Sequence, residues 1–229
     1  MHDNRFGGGV APVPGAAYNS GLPAPTLNEW SHVVVVYRQG GESAAFLNGV
    51  KSNTHSPTSN SEGLTTLTVG TAWLTASHAA DAWVKSITIW NEALSDTFVQ
   101  GMRWDAPLPS MLPSPVFEVD FGDASHQSTY TLHQGAHIGS LGNIEALRVG
   151  GGKYATLPIN INPSSMTDCT IEIWFKLLTV NGLGWLVSTD NGGYDRGVIV
   201  HDSRFGGGVA PIPGAAYNSG LPAPTLNEW

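Results

Sequence analysis

The chain has 229 residues, of which 12% are charged, 41% hydrophobic and 9% aromatic, and this balance excludes a disordered polar chain. Its formal net charge is −8 with only 10 lysines and arginines, so no basic surface is expected to neutralise the phosphates of a nucleic acid. The 28 glycines and 15 prolines indicate many turns, which favours an all-β fold of short strands.

The first half of the chain shows short apolar runs of strand length, separated by turn residues. Asn48-Gly49 follows one of these runs and predicts a hairpin turn. A single short helix is predicted over residues 93–102, with Ser95 as its cap. The predicted strands of this half are His32–Tyr37, Ala44–Leu47, Leu67–Val69 and Val84–Trp90.

The second half shows clearer alternation of apolar and polar residues. In the run 170–176, Glu172, Trp174 and Lys176 share one face and apolar residues share the other. The runs 146–149 and 154–157 flank three glycines, which predicts a hairpin. The predicted strands of this half are Val116–Phe121, Ala146–Val149, Tyr154–Leu157, Thr170–Lys176, Trp185–Ser188 and Gly197–Val200.

The only cysteine, Cys169, has no partner for an internal disulfide and lies in no Cys/His cluster typical of zinc sites. The longest apolar run, residues 33–37, is far shorter than the roughly 20 residues of a membrane span, so no membrane insertion is expected. The first residues lack the charged-then-apolar layout of a signal peptide. The segment described next suggests that the chain is an excerpt.

Nearly the same segment stands at both ends of the chain. Residues 201–229 repeat residues 2–30 at an offset of 199, and 27 of the 29 positions are identical. The exceptions are Asn4/Ser203 and Val13/Ile212. This near-identity predicts one period of a 199-residue tandem repeat, opened in its middle, and a period of that length predicts that each repeat folds as its own domain.

A proline-rich segment marks the boundary between repeats. Residues 105–115 hold four prolines in eleven residues, a composition that predicts an extended linker outside any sheet. Residues 1–106 are therefore interpreted as the second half of one repeat, 107–115 as the linker and 116–229 as the first half of the next repeat. The two halves together are expected to form one sandwich.

Rearranged into the order of one repeat, the fragments resemble a laminin G-like domain of the concanavalin A-like lectin/glucanase superfamily. The resemblance implies an all-β, two-sheet antiparallel jelly-roll sandwich with circularly permuted chain order and one short helix at most. It also implies extracellular or cell-surface adhesion and carbohydrate binding, often with one calcium ion. The fragments that carry it are FEVDF (117–121), ALRV (146–149), CTIEIWF (169–175), NEWSHVVV (28–35), FLNG (46–49), TVG (68–70) and ITIWNEALS (87–95).

A metal site and a sugar site are predicted near one glycine-containing loop. Asp190 and Asp195 offer carboxylate ligands for Ca²⁺, with an ordinary Asn-Gly turn as the alternative. Asp120 and Asp123 form a second, weaker group of carboxylates. The residues predicted to bind a sugar, by stacking or hydrogen bonding, are Trp73, Trp185, Asn191 and Tyr194, with core or rim packing as the alternative.

Three functions follow from this interpretation. The favoured one is a non-enzymatic adhesion or carbohydrate-binding module from a tandem-repeat surface or secreted protein, with a glycan or a surface protein as partner. The alternative is a structural spacer that assembles with neighbouring copies of itself through the duplicated segment. The last is a glycan hydrolase using Glu118 and Asp120, whose Glu-x-Asp spacing places both on one strand face.

One sandwich has one place for the duplicated segment, and the chain carries two copies of it. If the C-terminal copy fills that place, the break falls between Trp229 and Ser31, at a junction of loop and strand. If the N-terminal copy fills it, the break falls inside a predicted strand. The sequence therefore predicts that residues 201–229 occupy the native position and that residues 2–30 are displaced or dock into a neighbouring molecule.

Overall fold

The computed structural model describes residues 5–9, 22–23, 25–39, 41–51, 62–72, 74, 78–102, 113–179, 183–189 and 196–201. These residues form two sheets whose named strands all pair antiparallel. The strands are β1 (Arg5–Gly9), β2 (Leu22–Pro23), β3 (Trp30–Tyr37), β4 (Ala44–Leu47), β5 (Val50–Lys51), β6 (Leu67–Val69), β7 (Asp81–Trp90), β8 (Phe117–Asp120), β9 (Thr131–His133), β10 (His137–Leu141), β11 (Ile144–Val149), β12 (Tyr154–Leu157), β13 (Cys169–Thr179), β14 (Leu183–Ser188) and β15 (Gly197–His201).

Both sheets draw on both halves of the chain. The seven-stranded sheet has the order β2-β1-β15-β14-β6-β12-β9. The eight-stranded sheet has the order β10-β11-β7-β13-β3-β4-β5, and β8 pairs with β7 beside β11. The prediction of a two-sheet antiparallel sandwich is therefore confirmed.

The core lies between the two sheets and is built by alternation along the strands. Ile171, Ile173 and Phe175 of β13 are fully buried, while the residues between them on the strand are half-buried. Val33 and Val35 of β3 belong to the same cluster. Burial of a side chain of this size stabilises the fold by roughly 1.5–3 kcal/mol, so this cluster is the main source of stability.

A short helix covers one end of the outer face of the eight-stranded sheet. Helix α1 (Asp96–Gly101) begins after Ser95, whose hydroxyl accepts a hydrogen bond from the Phe98 amide at 3.3 Å, as predicted. The carboxylate of Asp96 pairs with Lys51 and Arg38. We call the outer-face residues beneath α1 the helix-covered patch; they are Val34, Val36, Phe46 and Trp90, packed with Val99 and Met102.

Two predicted hairpins have different outcomes. Asn48 and Gly49 both adopt positive φ, 50° and 80°, and connect β4 to β5 as predicted. The hairpin predicted around residues 150–152 is wrong, because β11 lies in the eight-stranded sheet and β12 lies in the seven-stranded sheet. The three glycines, all with positive φ, carry the chain from one sheet to the other.

The prediction that the C-terminal copy fills the native position is also wrong. Strand β1 comes from the N-terminal copy and pairs with β15, with Arg5 opposite His201 and Gly9 opposite Gly197. The same copy continues without a break into β3, where Trp30 lies opposite Lys176. That continuity keeps β3 at its full length, whereas the C-terminal copy would begin the strand one residue later. Residues 202–229 lie outside the described residues.

Candidate functional site

Most residues of the predicted sites fall outside the described part of the chain. Asp190, Asp195, Asn191, Tyr194 and Trp73 all belong to that group, so their predicted roles stay predictions.

Trp185 corrects the expectation of an exposed aromatic ring near this loop. It is only 1% exposed and packs with Ala72 and Ile199 on the seven-stranded sheet. A ring that is almost completely buried has no free face for a sugar, so Trp185 fits the alternative of core packing that the sequence left open.

The second acidic group forms an ordinary turn. The Asp120 carboxylate pairs with Lys85 and accepts a hydrogen bond from the Gly122 amide at 2.8 Å. Asp123 caps a short 3₁₀ helix (Ala124–Thr129) by accepting from the Ser125 amide at 2.8 Å, and these hydrogen bonds lower its pKa. Among the described residues, no group of three or more His, Cys, Asp or Glu side chains is arranged to hold a metal ion.

The open end of the outer face of the eight-stranded sheet carries a row of large aromatic and basic side chains. Directly paired residues of neighbouring strands lie on the same face. Along one such row, His137 is opposite Arg148, Arg148 opposite Trp83, Trp83 opposite Lys176, and Lys176 opposite Trp30. We call the group the tryptophan face; it consists of Trp30, Trp83, Trp174, Lys176, Arg148 and His137.

A β-bulge in β7 places Trp83 on this face. Trp174 lies opposite Ser86 and Phe175 opposite Val84, which leaves Lys85 as the extra residue. Because the side-chain period of a strand is two, Trp83 would otherwise point inward with Ile87. The bulge reverses this alternation, so Val84 enters the core and the half-buried Trp83 faces outward.

The bulge is held by the neighbouring strand end. The backbone carbonyl of Lys85 accepts a hydrogen bond from the Phe121 amide at 2.9 Å, and the Lys85 ammonium pairs with the Asp120 carboxylate. These contacts fix the extra residue by both its backbone and its side chain. The end of strand β8, whose Glu118 and Asp120 carry the hydrolase alternative, thus helps to position an aromatic residue of the tryptophan face.

The indole of Trp83 is held by three neighbours. The Arg148 guanidinium lies 5.8 Å from the ring centroid, within the range of cation–π attraction, and the His137 ring meets it edge-on at 6.1 Å. Gly139 lies beneath the ring, since a Cβ at that position would come within 3.0 Å of the indole. Asp81 pairs with Arg148 and holds the guanidinium in turn. These contacts therefore fix the orientation of the indole plane.

Trp174 is positioned by a buried pair of polar side chains. The His32 ring stacks on it with centroids 4.5 Å apart and planes 19° from parallel. His32 Nε2 lies 2.7 Å from Glu172 Oε1, and these side chains are only 4% and 13% exposed. The Asn48 side chain accepts from the His32 amide, while the Asn48 amide donates to the His32 carbonyl, both at 2.8 Å. This network limits the movement of the half-buried indole.

The spacing of the tryptophan face follows from the sheet. Trp83 and Trp30 are separated by one intervening strand, which corresponds to about 9.5 Å at ordinary strand spacing. Lys176 lies between them on that strand, and Trp174 lies two residues away on the same side. Trp30, Trp174 and Lys176 are half-buried. Their exposed edges offer apolar planes beside an ammonium group.

The sequence contained part of the signal for this site. Alternation placed Trp174 and Lys176 on the outward face of their strand, but it gave no neighbours for them. Trp83 was missed because the bulge decides that it lies opposite Lys176. Trp30 was missed because it joins this face only through pairing across three strands. Alternation with a period of two would have placed Trp83 on the outer face only if Lys85 had been recognised as an extra residue.

Comparison with protein families supports the same architecture. Residues 5–100 match a laminin G family model described as the concanavalin A-like lectin/glucanases superfamily. This stretch is a laminin G-like sequence of that superfamily. The match begins at β1 of the N-terminal copy and ends within α1, and it confirms the resemblance stated from the sequence.

Other comparisons add no relatives, since no curated protein and no solved structure matches the chain. Laminin G-like domains are generally non-enzymatic and typically extracellular. In the described residues, no helix is long and apolar enough to span a membrane.

Proposed function

We propose that this laminin G-like chain is a non-enzymatic carbohydrate-binding module of an extracellular adhesion protein, and that its glycan lies along the tryptophan face. The observation that carries the proposal is the cross-strand row in which Trp83, Lys176 and Trp30 share one open sheet face. Sugar rings pack their C–H faces on planar aromatic groups, and neighbouring polar groups hydrogen-bond the hydroxyls.

The dimensions of the face support a short oligosaccharide. Two indoles about 9.5 Å apart suit a ligand of two or more sugar rings, with Lys176 reaching the hydroxyls between them. The contacts made by His32 and Arg148 hold Trp174 and Trp83 in place, which reduces the ordering that binding would otherwise require.

The charge of the face supports a glycan rather than an acidic polymer. Arg148 is paired with Asp81 and Glu172 with His32, so among the lysines and arginines of the tryptophan face only Lys176 has no ion pair with a described residue. One such cation in a chain of net charge −8 provides little long-range attraction for a polyanion.

A glycan array of the intact chain, followed by calorimetry on the strongest ligand, tests this proposal. Trp83→Leu removes the aromatic plane while keeping an apolar side chain, and we expect at least a tenfold loss of affinity, about 1.4 kcal/mol. The matched control is Trp90→Leu on the same strand, where the indole lies under α1 and is 3% exposed. Equal affinity for the Trp83→Leu variant and the unsubstituted chain would contradict the proposal.

Two lysine substitutions, one in the site and one as a control, test the polar part of the same site. Lys176→Ala is expected to weaken binding severalfold, because an ammonium hydrogen bond to a hydroxyl is lost. Lys153→Ala is the control, since Lys153 lies in the glycine crossover between the sheets and is not part of the cross-strand row that forms the tryptophan face. A loss of affinity in the control equal to that in Lys176→Ala would place the glycan elsewhere.

Calcium is proposed as a cofactor of this module, with Asp190 and Asp195 as ligands. Calorimetry with CaCl₂ on the unsubstituted chain and on the Asp190→Asn and Asp195→Asn variants tests this. Repeating the glycan array with a chelator distinguishes a metal that supports glycan binding from one that only stabilises the loop.

A structural spacer repeat is the second candidate. The near-identical segments at residues 2–30 and 201–229 favour it, since a tandem array gains reach without any ligand. A chain that binds no sugar on the array, with or without Ca²⁺, and keeps an unchanged stability after Trp83→Leu would support this candidate. Hydrolysis of a β-glucan abolished by Glu118→Gln would instead support the enzymatic alternative.

A further inference from the structure

One charged side chain of the tryptophan face differs from the others in having no partner in the protein. The Arg148 guanidinium pairs with the Asp81 carboxylate. The Glu172 carboxylate lies 2.7 Å from His32 Nε2. The Lys176 ammonium, in contrast, has no ion pair or hydrogen bond with a described residue. The face therefore presents one cation that the described protein does not neutralise.

The neighbouring strands place indoles on both sides of Lys176. Trp83 of β7 and Trp30 of β3 lie directly opposite it in the sheet, and Trp174 lies two residues earlier on the same strand and face. Lys176 is half-buried. Opposite charges paired across strands stabilise a sheet, and here neither cross-strand neighbour carries a carboxylate. The ammonium is therefore left to water or to a ligand.

The surroundings of this ammonium favour an anionic group over a neutral one. Apolar rings on both sides displace part of the water that would screen the charge, so a nearby anion is attracted more strongly. Hydrogen bonds between charged groups are roughly twice as strong as those between neutral groups. The Asp81 carboxylate does not compete for Lys176, because it is engaged by Arg148 and accepts a hydrogen bond from the Thr179 hydroxyl at 3.0 Å.

We propose that the glycan of the tryptophan face is an acidic sugar, with a single carboxylate or sulfate that pairs with the Lys176 ammonium. The inference rests on the proposed glycan site and names the class of its ligand. Because Lys176 lies one strand from each indole, the anionic group lies between the sugar rings stacked on Trp83 and Trp30. One anionic group suffices, since Arg148 is already neutralised and a chain of net charge −8 repels a polyanion.

An array of matched glycans, probed with the intact chain, tests the inference. Each set holds one disaccharide as the neutral sugar, its uronate and its 6-sulfate, and the sets are built on glucose, galactose and mannose. In every set that binds, calorimetry should give an affinity at least about tenfold higher for an acidic form than for the neutral form. The two acidic forms distinguish a carboxylate from a sulfate as the group that meets Lys176.

The outcomes separate this inference from the proposed function. Equal affinities for the neutral and acidic forms of a set that binds would overturn the acidic ligand and leave the glycan site standing. No binding to any form would overturn both.

Substitutions of Lys176 separate the effect of its charge from that of the stacking site. Lys176→Gln keeps a polar side chain but removes the charge, so the ratio of acidic to neutral affinity should fall to near one. Lys176→Arg should retain the preference, and Lys153→Gln is the control for net charge and should also retain it. Trp83→Leu should weaken both forms by the same factor. An unchanged preference in the Lys176→Gln variant would overturn the inference.

Salt and a chelator give a second measurement on the unsubstituted chain. Raising NaCl from about 50 to about 500 mM should weaken binding of the acidic form severalfold and of the neutral form little, because salt screens a partly exposed ion pair. The preference for the acidic form should persist in EDTA. A preference abolished by EDTA would overturn the inference in favour of an anionic group held by a metal ion.

Discussion

The outer face of the eight-stranded sheet has two ends that differ in what covers them. At one end the helix-covered patch, which includes Phe46 and Trp90, is buried beneath α1. At the other end the tryptophan face holds Trp83 and Trp174 half-open, with polar neighbours fixing their rings. The same strands β7, β13 and β3 pass through both ends.

This difference teaches that tryptophans on the same sheet face have different surroundings, depending on whether α1 covers them. Trp90 is 3% exposed, and its Nε1 donates to the Pro113 carbonyl at 2.9 Å, so its one polar atom is satisfied inside the fold. Trp83 is bordered by a guanidinium and an imidazole and keeps part of its ring in solvent. The first position contributes stability, and the second leaves the partly exposed ring on which the proposed glycan site is based.

The largest expected effect on stability lies in the helix-covered patch. Phe46→Ala leaves a cavity beneath α1, because Phe46 is 1% exposed and packs in the cluster that contains Val99. We expect a loss of about 3–5 kcal/mol in the free energy of unfolding, measured by urea denaturation. The matching Trp83→Leu change at the open end should cost less than about 1.5 kcal/mol. Similar losses in the free energy of unfolding for Phe46→Ala and Trp83→Leu would contradict the difference between the two ends of the face.

Removing the extra residue of the bulge should leave Trp83 on the outer face. Deletion of Lys85 places Val84 directly before Ser86, so simple alternation keeps Val84 in the core and Trp83 opposite Lys176. Glycan affinity should be retained, and the free energy of unfolding should fall by about 1 kcal/mol or less, because the lost ion pair with Asp120 is partly exposed. Lys85→Ala, which keeps the residue count, is the control and should retain Trp83 on the outer face. The shift of tryptophan fluorescence reports which way the ring points.

A smaller change should disturb Trp83 without affecting the core. Gly139→Ala places a methyl group about 3.0 Å from the indole, so the ring must move. We expect a severalfold weaker glycan affinity with a change in stability below about 1 kcal/mol. Ser140→Ala, on the neighbouring exposed residue of β10, should leave both unchanged. Unaltered affinity after Gly139→Ala would show that the exact position of the ring does not matter.

Cys169 provides the most sensitive report on the core that both ends share. It lies at the start of β13 and is fully buried, which raises the pKa of its thiol to about 12 from 9.0. Because the folded pKa is the higher one, its contribution to stability is complete below pH 9 and is lost as the pH rises toward 12. At pH 8 we expect slow alkylation in the native chain and rapid alkylation in urea. Fast native labelling would contradict this burial.

Local sequence signals predicted the sandwich and several of its details. Alternation identified β13, the Asn48-Gly49 pair predicted the β4–β5 turn, and Ser95 predicted the start of α1. Each of these depends on neighbours in sequence, such as a cap three residues away or a turn that needs positive φ. The resemblance to laminin G-like domains added the two-sheet arrangement.

Long-range choices were not available from such signals. The glycines at 150–152 fit a hairpin and a crossover between sheets equally well, because both need positive φ. The two copies supply the same five-residue sequence, and only the structure shows that residues 5–9 pair with β15. In both cases the sequence was compatible with two tertiary arrangements.

The sequence alone determined that the chain is built of short strands joined by turns, since alternation and turn chemistry act over a few residues. The tertiary structure alone decided where Trp83 points and which side chains it meets. A single extra residue, Lys85, reverses the side-chain alternation along β7, and only the pairing with β13 reveals it. Sites built across strands depend on register, and register is a property of the paired sheet rather than of one strand.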